Sequence, residues 1–287
     1  MKIWLTGATG QLGRKLAQTV PTAVGLVATG SGDLDLTDTD AVTAFFNRMR
    51  PDVVINAAAY TAVDKAEDEP DRAFAVNEVA VATLARLTAA TDVQLIHLST
   101  DYVFDGSATS PYKPSDAVAP INVYGASKRA GEVAALDLNP HTLIFRTSWV
   151  YGAVGQNFLL TMLRLMRERD HLRVVADQRG TPTSTATLVR LIWRAAGSDK
   201  AGLYHITDSG ETTWHGFATA IQDQALALGL LPRAIPIEPI TTAGYPTRAR
   251  RPTYSVLDSG ATQRDFGFTP PDWRDALRET LKELHHG

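Results

Sequence analysis

The chain has 287 residues, 44% of them hydrophobic, which is enough for one large α/β unit or two close lobes around a sizeable core. Lys and Arg number 28 against 31 Asp and Glu, a formal charge of -3, so no overall field draws the chain to nucleic acid or to an acidic membrane. There is no cysteine, which excludes a disulfide framework, thiol catalysis and zinc–thiolate sites and makes the reducing cytoplasm the expected location.

Met1 to Thr6 runs into a glycine loop too early for the apolar core of a signal peptide, so no targeting segment is expected. No apolar run reaches the roughly 18 to 20 residues that cross a bilayer. Apolar runs predict strands at Lys2–Leu5, Val24–Ala28, Val53–Ile55, Gln94–Leu98 and Thr142–Arg146. Between them, apolar positions at helical spacing (Leu12, Leu16, Val20; Val42, Phe45, Phe46, Met49; Phe74, Ala80, Leu84, Leu87) predict crossover helices. Alternation of this kind predicts an α/β fold, a Rossmann-type doubly wound parallel sheet. After about residue 150 the pattern loosens into a smaller, loop-rich C-terminal lobe. The expected division is a dinucleotide-binding unit of residues 1–150 plus roughly 184–200, and a substrate-binding lobe of 151–183 and 201–287.

Gly7, Gly10 and Gly13, with Thr9, Gln11 and Leu12 between them, lie between the first strand and the first helix. Glycines there permit a tight turn and a close approach of backbone to a pyrophosphate at the helix N-terminus. An acid at the end of the second strand would favour NAD(H), but Ala28-Thr29-Gly30-Ser31 has none. Arg14 follows the loop and can reach a 2′-phosphate, so NADPH is the expected cofactor, with NADH possible. Lys15 is expected to be a solvated helix residue, and Asp35 and Leu36 are placed to meet an adenine.

Tyr124 and Lys128 are four apart on one predicted helix and so share a face. An ammonium there is expected to lower the phenol's pKa, preparing a proton donor to a carbonyl oxygen. Ser99-Thr100-Asp101 follows an apolar strand at the carboxyl edge of the sheet, where a hydroxyl can hydrogen-bond the same carbonyl.

Together with the glycine loop and Asn56-Ala57-Ala58-Ala59-Tyr60-Thr61, these blocks resemble the extended short-chain dehydrogenases/reductases. The longer matches Asn56 to Glu67, Ser99 to Gly106, Asn122 to Gly125, Phe145 to Tyr151 and Asp177 to Thr183 resemble, more narrowly, the dTDP-4-dehydrorhamnose reductase family. The resemblance covers nearly the whole chain. It implies Tyr124 as proton donor, Lys128 as its partner and Thr100 as the hydroxyl that helps bind a ketone. It implies cofactor contacts at Gln11, Leu12, Ala57, Ala59, Tyr60, Thr61 and Leu98, and substrate contacts at Asp101 and Trp149. Tyr60 stands where many members carry histidine. Where some members place a glutamate of a magnesium site this chain has Arg14-Lys15, so no metal is expected. The implied reaction is NAD(P)H-dependent reduction of a C4 ketone on a small-molecule nucleotide sugar, with Arg179, Arg248, Arg250 and Arg251 as candidates for its pyrophosphate. A related ketoreductase or epimerase, or a non-catalytic regulatory subunit, would share much of this pattern. Both monomer and homodimer remain open.

Overall fold

The computed structural model describes residues 1–286. The first half runs β1 (Lys2–Thr6), α1 (Gln11–Gln18), β2 (Gly25–Thr29), α2 (Thr39–Met49), β3 (Val53–Asn56), α3 (Val63–Ala66) and α4 (Pro70–Phe74). A π-helical turn, Ala75–Val79, then leads to α5 (Ala80–Ala89), β4 (Gln94–Thr100), α6 (Val123–Leu138) and β5 (Leu143–Thr147). The second half runs β6 (Val150–Tyr151), α7 (Phe158–Glu168), β7 (Leu172–Val175), β8 (Arg179–Gly180), β9 (Thr183–Ser184), α8 (Thr185–Ala195) and β10 (Gly202–His205). It ends with β11 (Thr212–Thr213), α9 (Trp214–Ala227), β12 (Ile237–Ile240), α10 (Gly260–Phe266) and α11 (Trp273–His286).

Six strands form one sheet in the order β10-β5-β4-β3-β1-β2, and every neighbouring pair is parallel. Its four inner strands, β1, β3, β4 and β5, are covered on both faces, which is why they read as continuous apolar runs; β3 is buried at all four positions. One face carries a core of Ile3, Leu16, Ile55, Leu188 and Ile192, the other a core of Trp4, Phe46, Val54, Leu84 and Ala135. A third core, with Met162, Phe217, Ile221, Leu277 and Leu281, joins α7, α9 and α11 in a separate layer. β2 lies on one side of β1 and β3 on the other, so the chain reverses direction at β1/β3 and opens a crevice at their carboxyl ends.

The structure corrects two expectations. Residues 201–287 do not all lie in the second layer: β10 is the sixth strand of the main sheet, and Phe266 and Phe268 pack into its core. Gly202-Leu203-Tyr204-His205 is an edge strand with only one aliphatic residue, too weak an apolar signal to read. Lys15 is not solvated, since its ammonium pairs with Glu283 of α11 at 2.7 Å and its side chain is only 18% exposed.

α6 holds the positions of greatest chemical interest. Asn122 caps its N-terminus, accepting the Gly125 N–H at 2.7 Å. Glu132, on the same helix, has no exposed surface. Arg146 of β5 donates to it through Nε and Nη2, both at 2.7 Å, and Ser99 donates at 2.6 Å. A buried bidentate pair gains little over an apolar one, but losing one partner strands the other charge. Arg146→Met is therefore expected to lower unfolding free energy by about 3–5 kcal/mol, read from urea denaturation; a loss below ~1 kcal/mol would contradict this role for the pair.

Candidate active site

The glycine loop joins β1 to α1 at the crevice. Gly7 has φ +71°, and a Cβ there would stand 2.5 Å from the Ala58 nitrogen; a Cβ on Gly13 would stand 2.1 Å from the Gly7 oxygen. The loop thus packs directly on the strand-end segment that starts at Ala57. Gly10 caps α1 without any side-chain hydrogen bond, so the first amides of the helix remain available to an anion. Leu12 packs against the core. The Gln11 side chain donates to the Val150 carbonyl at 3.1 Å and accepts from Asn157, the N-cap of α7, at 3.3 Å, which ties the loop to the second layer. Thr9 packs where a Cβ on Gly30 would fall, at the end of β2, and Arg14 is exposed with Nε donating to the Thr9 carbonyl at 2.9 Å. Asp35 is exposed, and hydrogen bonds from the Thr37 N–H and hydroxyl hold its carboxyl below the usual range. Leu36 packs partly onto the core rather than standing free. A loop with uncapped amides, glycines where methyl groups cannot fit and a cation near the end of β2 fits a dinucleotide carrying a 2′-phosphate.

Beyond β3, Ala57 and Ala59 are half-buried and Thr61 is exposed. Asn77, in the π-helical turn, accepts the Tyr60 N–H at 2.9 Å and donates to the Tyr60 carbonyl at 3.1 Å. The Tyr60 phenol donates to Glu69 at 2.9 Å.

Thr100 ends β4, and its hydroxyl donates to Asp101 at 3.0 Å, accepts the Tyr102 N–H at 3.2 Å and stands close enough to the Tyr124 phenol to influence its ionisation. The Tyr102 ring meets the Tyr124 ring edge-on at 5.5 Å. Lys128, 2% exposed, donates to the Leu98 carbonyl at 2.6 Å and lies 3.4 Å from His97 Nε2. The structure brings Thr100, Tyr124, Lys128 and Leu98 together, but the electrostatics differ from expectation. Burial pushes the Tyr124 phenol up to about 12, opposed only in part by the nearby Thr100 hydroxyl. Burial brings Lys128 down to about 8, opposed by Glu132. Its ammonium is spent on Leu98 and does not draw the unliganded phenol down. The site keeps Tyr124 loaded with its proton.

Asp101 is 2% exposed, and burial raises its carboxyl to about 6 although Thr100 donates to Oδ1; Oδ2 is buried without a hydrogen-bond partner. Thr147 is the register partner of Thr100 across β4 and β5, so Trp149 leaves the sheet just beyond that level. Trp149 has φ +48°, a conformation costing a non-glycine residue about 1–3 kcal/mol. Its ring packs on Gly180 and stacks on Trp214 at 3.6 Å. Trp214 also lines a cavity of about 910 Å³, with Phe158, Met162, Tyr245 and Arg251. Arg251 is held bidentately by Asp64, at 3.0 and 2.6 Å, and Arg248 pairs with Asp68 at 2.6 Å. Arg179 pairs with Glu211, and Arg250 lies exposed.

Sequence reasoning missed His97, Asn77, Glu132, Arg146 and Trp214. For His97 and Arg146 a signal was present: each interrupts an otherwise apolar strand that is buried on both faces. If Tyr124 stays un-ionised, the phenolate absorbance of the wild type minus that of Tyr124→Phe stays flat past pH 10, the ordinary tyrosine value; a step below it would contradict the burial effect.

The model of a family described as the RmlD substrate binding domain matches residues 1–286. A dTDP-4-dehydrorhamnose reductase of Burkholderia thailandensis is 44% identical, over 99% of both chains. The crystal structure of a dTDP-4-dehydrorhamnose reductase of Clostridium acetobutylicum superposes with a TM-score of 0.94 at 40% identity, covering 99% of both chains. That of the Bacillus anthracis dTDP-4-dehydrorhamnose reductase in complex with NADP superposes at 0.93 and 35% identity, covering 98% of this chain and 99% of the other. Matched in sequence from end to end of its described fold, the chain belongs to the RmlD substrate-binding-domain family.

Proposed function

We propose that the chain reduces the C4 ketone of dTDP-4-dehydro-L-rhamnose to dTDP-L-rhamnose, taking the hydride from NADPH. The observation that carries this reading is the end-to-end likeness to reductases of that name; it is supported by the neighbouring Thr100 and Tyr124 at the end of β4, where burial pushes the phenol's pKa up. NADPH supplies a hydride to the carbonyl carbon; the remaining work falls to this chain's side chains.

In this reading the Thr100 hydroxyl binds the ketone oxygen and turns it toward Tyr124, which gives its proton to that oxygen as hydride addition at the carbon pushes the C=O π electrons onto it. A phenol whose pKa is raised by burial is not lost to solvent before the substrate arrives. Lys128, anchored on Leu98, has two further N–H groups for the hydroxyls of a nicotinamide ribose. The amides after Gly10 take the pyrophosphate, and Arg14 takes the 2′-phosphate. Ala57, Ala59, Tyr60 and Thr61 form the wall of this site opposite the glycine loop, with Asp35 and Leu36 at the adenine end.

The sugar lies between Thr100, Asp101 and Trp149, and the nucleotide extends into the cavity rimmed by Trp214 and Arg251. A volume of about 910 Å³ suits a ligand of nucleotide size. Among the four arginines proposed for its pyrophosphate, Arg251 lines this cavity, whereas Arg179 is engaged by Glu211. Residues 1–150 with the α8 and β10 segment serve as the cofactor unit, and the α7, α9 and α11 layer serves the substrate. The protein works as a monomer or homodimer in the cytoplasm.

Purified protein mixed with dTDP-4-dehydro-L-rhamnose is expected to oxidise NADPH in step with formation of dTDP-L-rhamnose. A folded protein that binds NADPH but leaves this sugar unchanged would move the assignment to another keto sugar or to a regulatory role. Tyr124→Phe is expected to lower turnover ~10²- to 10⁴-fold while NADPH affinity, measured by calorimetry, changes little; near-normal turnover would remove Tyr124 as proton donor.

A further inference from the structure

A row of polar side chains crosses the sheet beneath the site. Thr6, Asn56 and His97 are register partners on β1, β3 and β4, and all three are buried. The row ends at Lys128. Its donors and acceptors are ordered from one end. The backbone N–H of Ala58 can only donate, and it meets Asn56 Oδ1 at 3.1 Å, where the Thr6 hydroxyl also donates at 2.7 Å. This turns the amide nitrogen of Asn56 toward His97 Nδ1 at 3.0 Å. An amide N–H₂ is a donor, so Nδ1 accepts and carries no proton. The neutral imidazole then holds its proton on Nε2, which faces Lys128 Nζ at 3.4 Å. A second proton on Nδ1 would set donor against donor at Asn56, and burial together with the lysine charge already pushes the imidazole far down.

For Lys128 the consequence is unusual. An ammonium is three donors and no acceptor, and here one acceptor, the Leu98 carbonyl, is matched by a neighbouring N–H that favours the neutral amine. The other ionisable groups on its surroundings are few. Glu132, one turn further along α6, favours the ammonium, but Arg146 of β5 and Arg129 of α6 already engage its carboxylate; Tyr124, one turn back, is held un-ionised by burial.

We propose that His97 is a positioning residue that presents Nε2–H to Lys128 and so holds this lysine in balance between amine and ammonium until ligand hydroxyls supply acceptors. The significance for turnover rests on the role assigned to Lys128 above, but the arrangement itself is measurable without substrate or cofactor.

The test uses protein labelled with ¹⁵N-histidine and ¹³C-lysine. Two-bond ¹H–¹⁵N correlations in the wild type are expected to show His97 protonated at Nε2; protonation at Nδ1 overturns the proposal, and no variant is needed for that reading. Asn56→Asp replaces the donor with a carboxylate, so the ring is expected to switch to Nδ1–H and turn a lone pair to Lys128. His97→Phe removes the N–H without adding charge. In both variants the Lys128 Cε titration, assigned by its loss in Lys128→Met, is expected to move to higher pH by roughly one unit, a tenfold change in the amine-to-ammonium ratio. A midpoint that stays in place in either folded variant overturns the proposal. If His97→Phe does not fold, Asn56→Asp and the wild-type tautomer still decide it. Failure of the reductase reading shows in the turnover assay and leaves these measurements unaffected.

Discussion

The approach of α6 to the body of the protein is the constraint on which the rest depends. A methyl group on Gly125 would stand 2.1 Å from the Tyr102 carbonyl oxygen, and one on Gly131 would stand 2.0 Å from the Asn77 carbonyl oxygen. Backbone meets backbone at both places, and a side chain on either residue would lift the helix away. With the helix this close, Tyr124, Lys128 and Glu132, spaced four apart, lie against the ends of β4 and β5 instead of in solvent. The first stays neutral, the second finds a strand carbonyl, and the third is clamped by Arg146. Three ionisable side chains in one buried line are tolerable only because each has a separate solution to the cost of desolvation.

The parallel sheet supplies those solutions through its register. Thr6, Asn56 and His97 face one another across three strands because parallel pairing puts them at one level. Just beyond that level the chain turns into the glycine loop, the Ala57 segment and the Thr100 turn. These are the strand ends on either side of the β1/β3 reversal and along β4, where doubly wound sheets leave a crevice. The second layer reaches the same place through Asn157 at the start of α7, which bonds to Gln11, and through Arg251, which bonds to Asp64. These links hold the two layers around the crevice.

Much of this was legible in the sequence, for identifiable reasons. The five apolar strands and their helices were readable because a sheet covered on both faces demands continuous runs, and the glycine loop was readable because turn and helix must join there. Tyr124 and Lys128 were readable from their spacing taken together with the hydroxyls of Ser99-Thr100 at a strand end and the order of the motifs along the chain. β10 was not, because an edge strand needs little apolar surface. His97 stood out as a polar interruption of an apolar strand, but its partners, and those of Asn77, come from segments far apart in the chain, and no local pattern carries that information. The phenol's pKa was misjudged because spacing brings two groups to one face without saying whether their charges point at each other. In the folded chain the lysine points at Leu98.

The central claim is that this arrangement passes one hydride to the sugar carbonyl and one proton from Tyr124 to its oxygen. The most direct measurement uses NADPH carrying deuterium at the transferable position of the nicotinamide. The account predicts one deuterium at C4 of the dTDP-L-rhamnose formed for each NADPH oxidised. A product free of deuterium, or a sugar isomerised with no NADPH consumed, would contradict it.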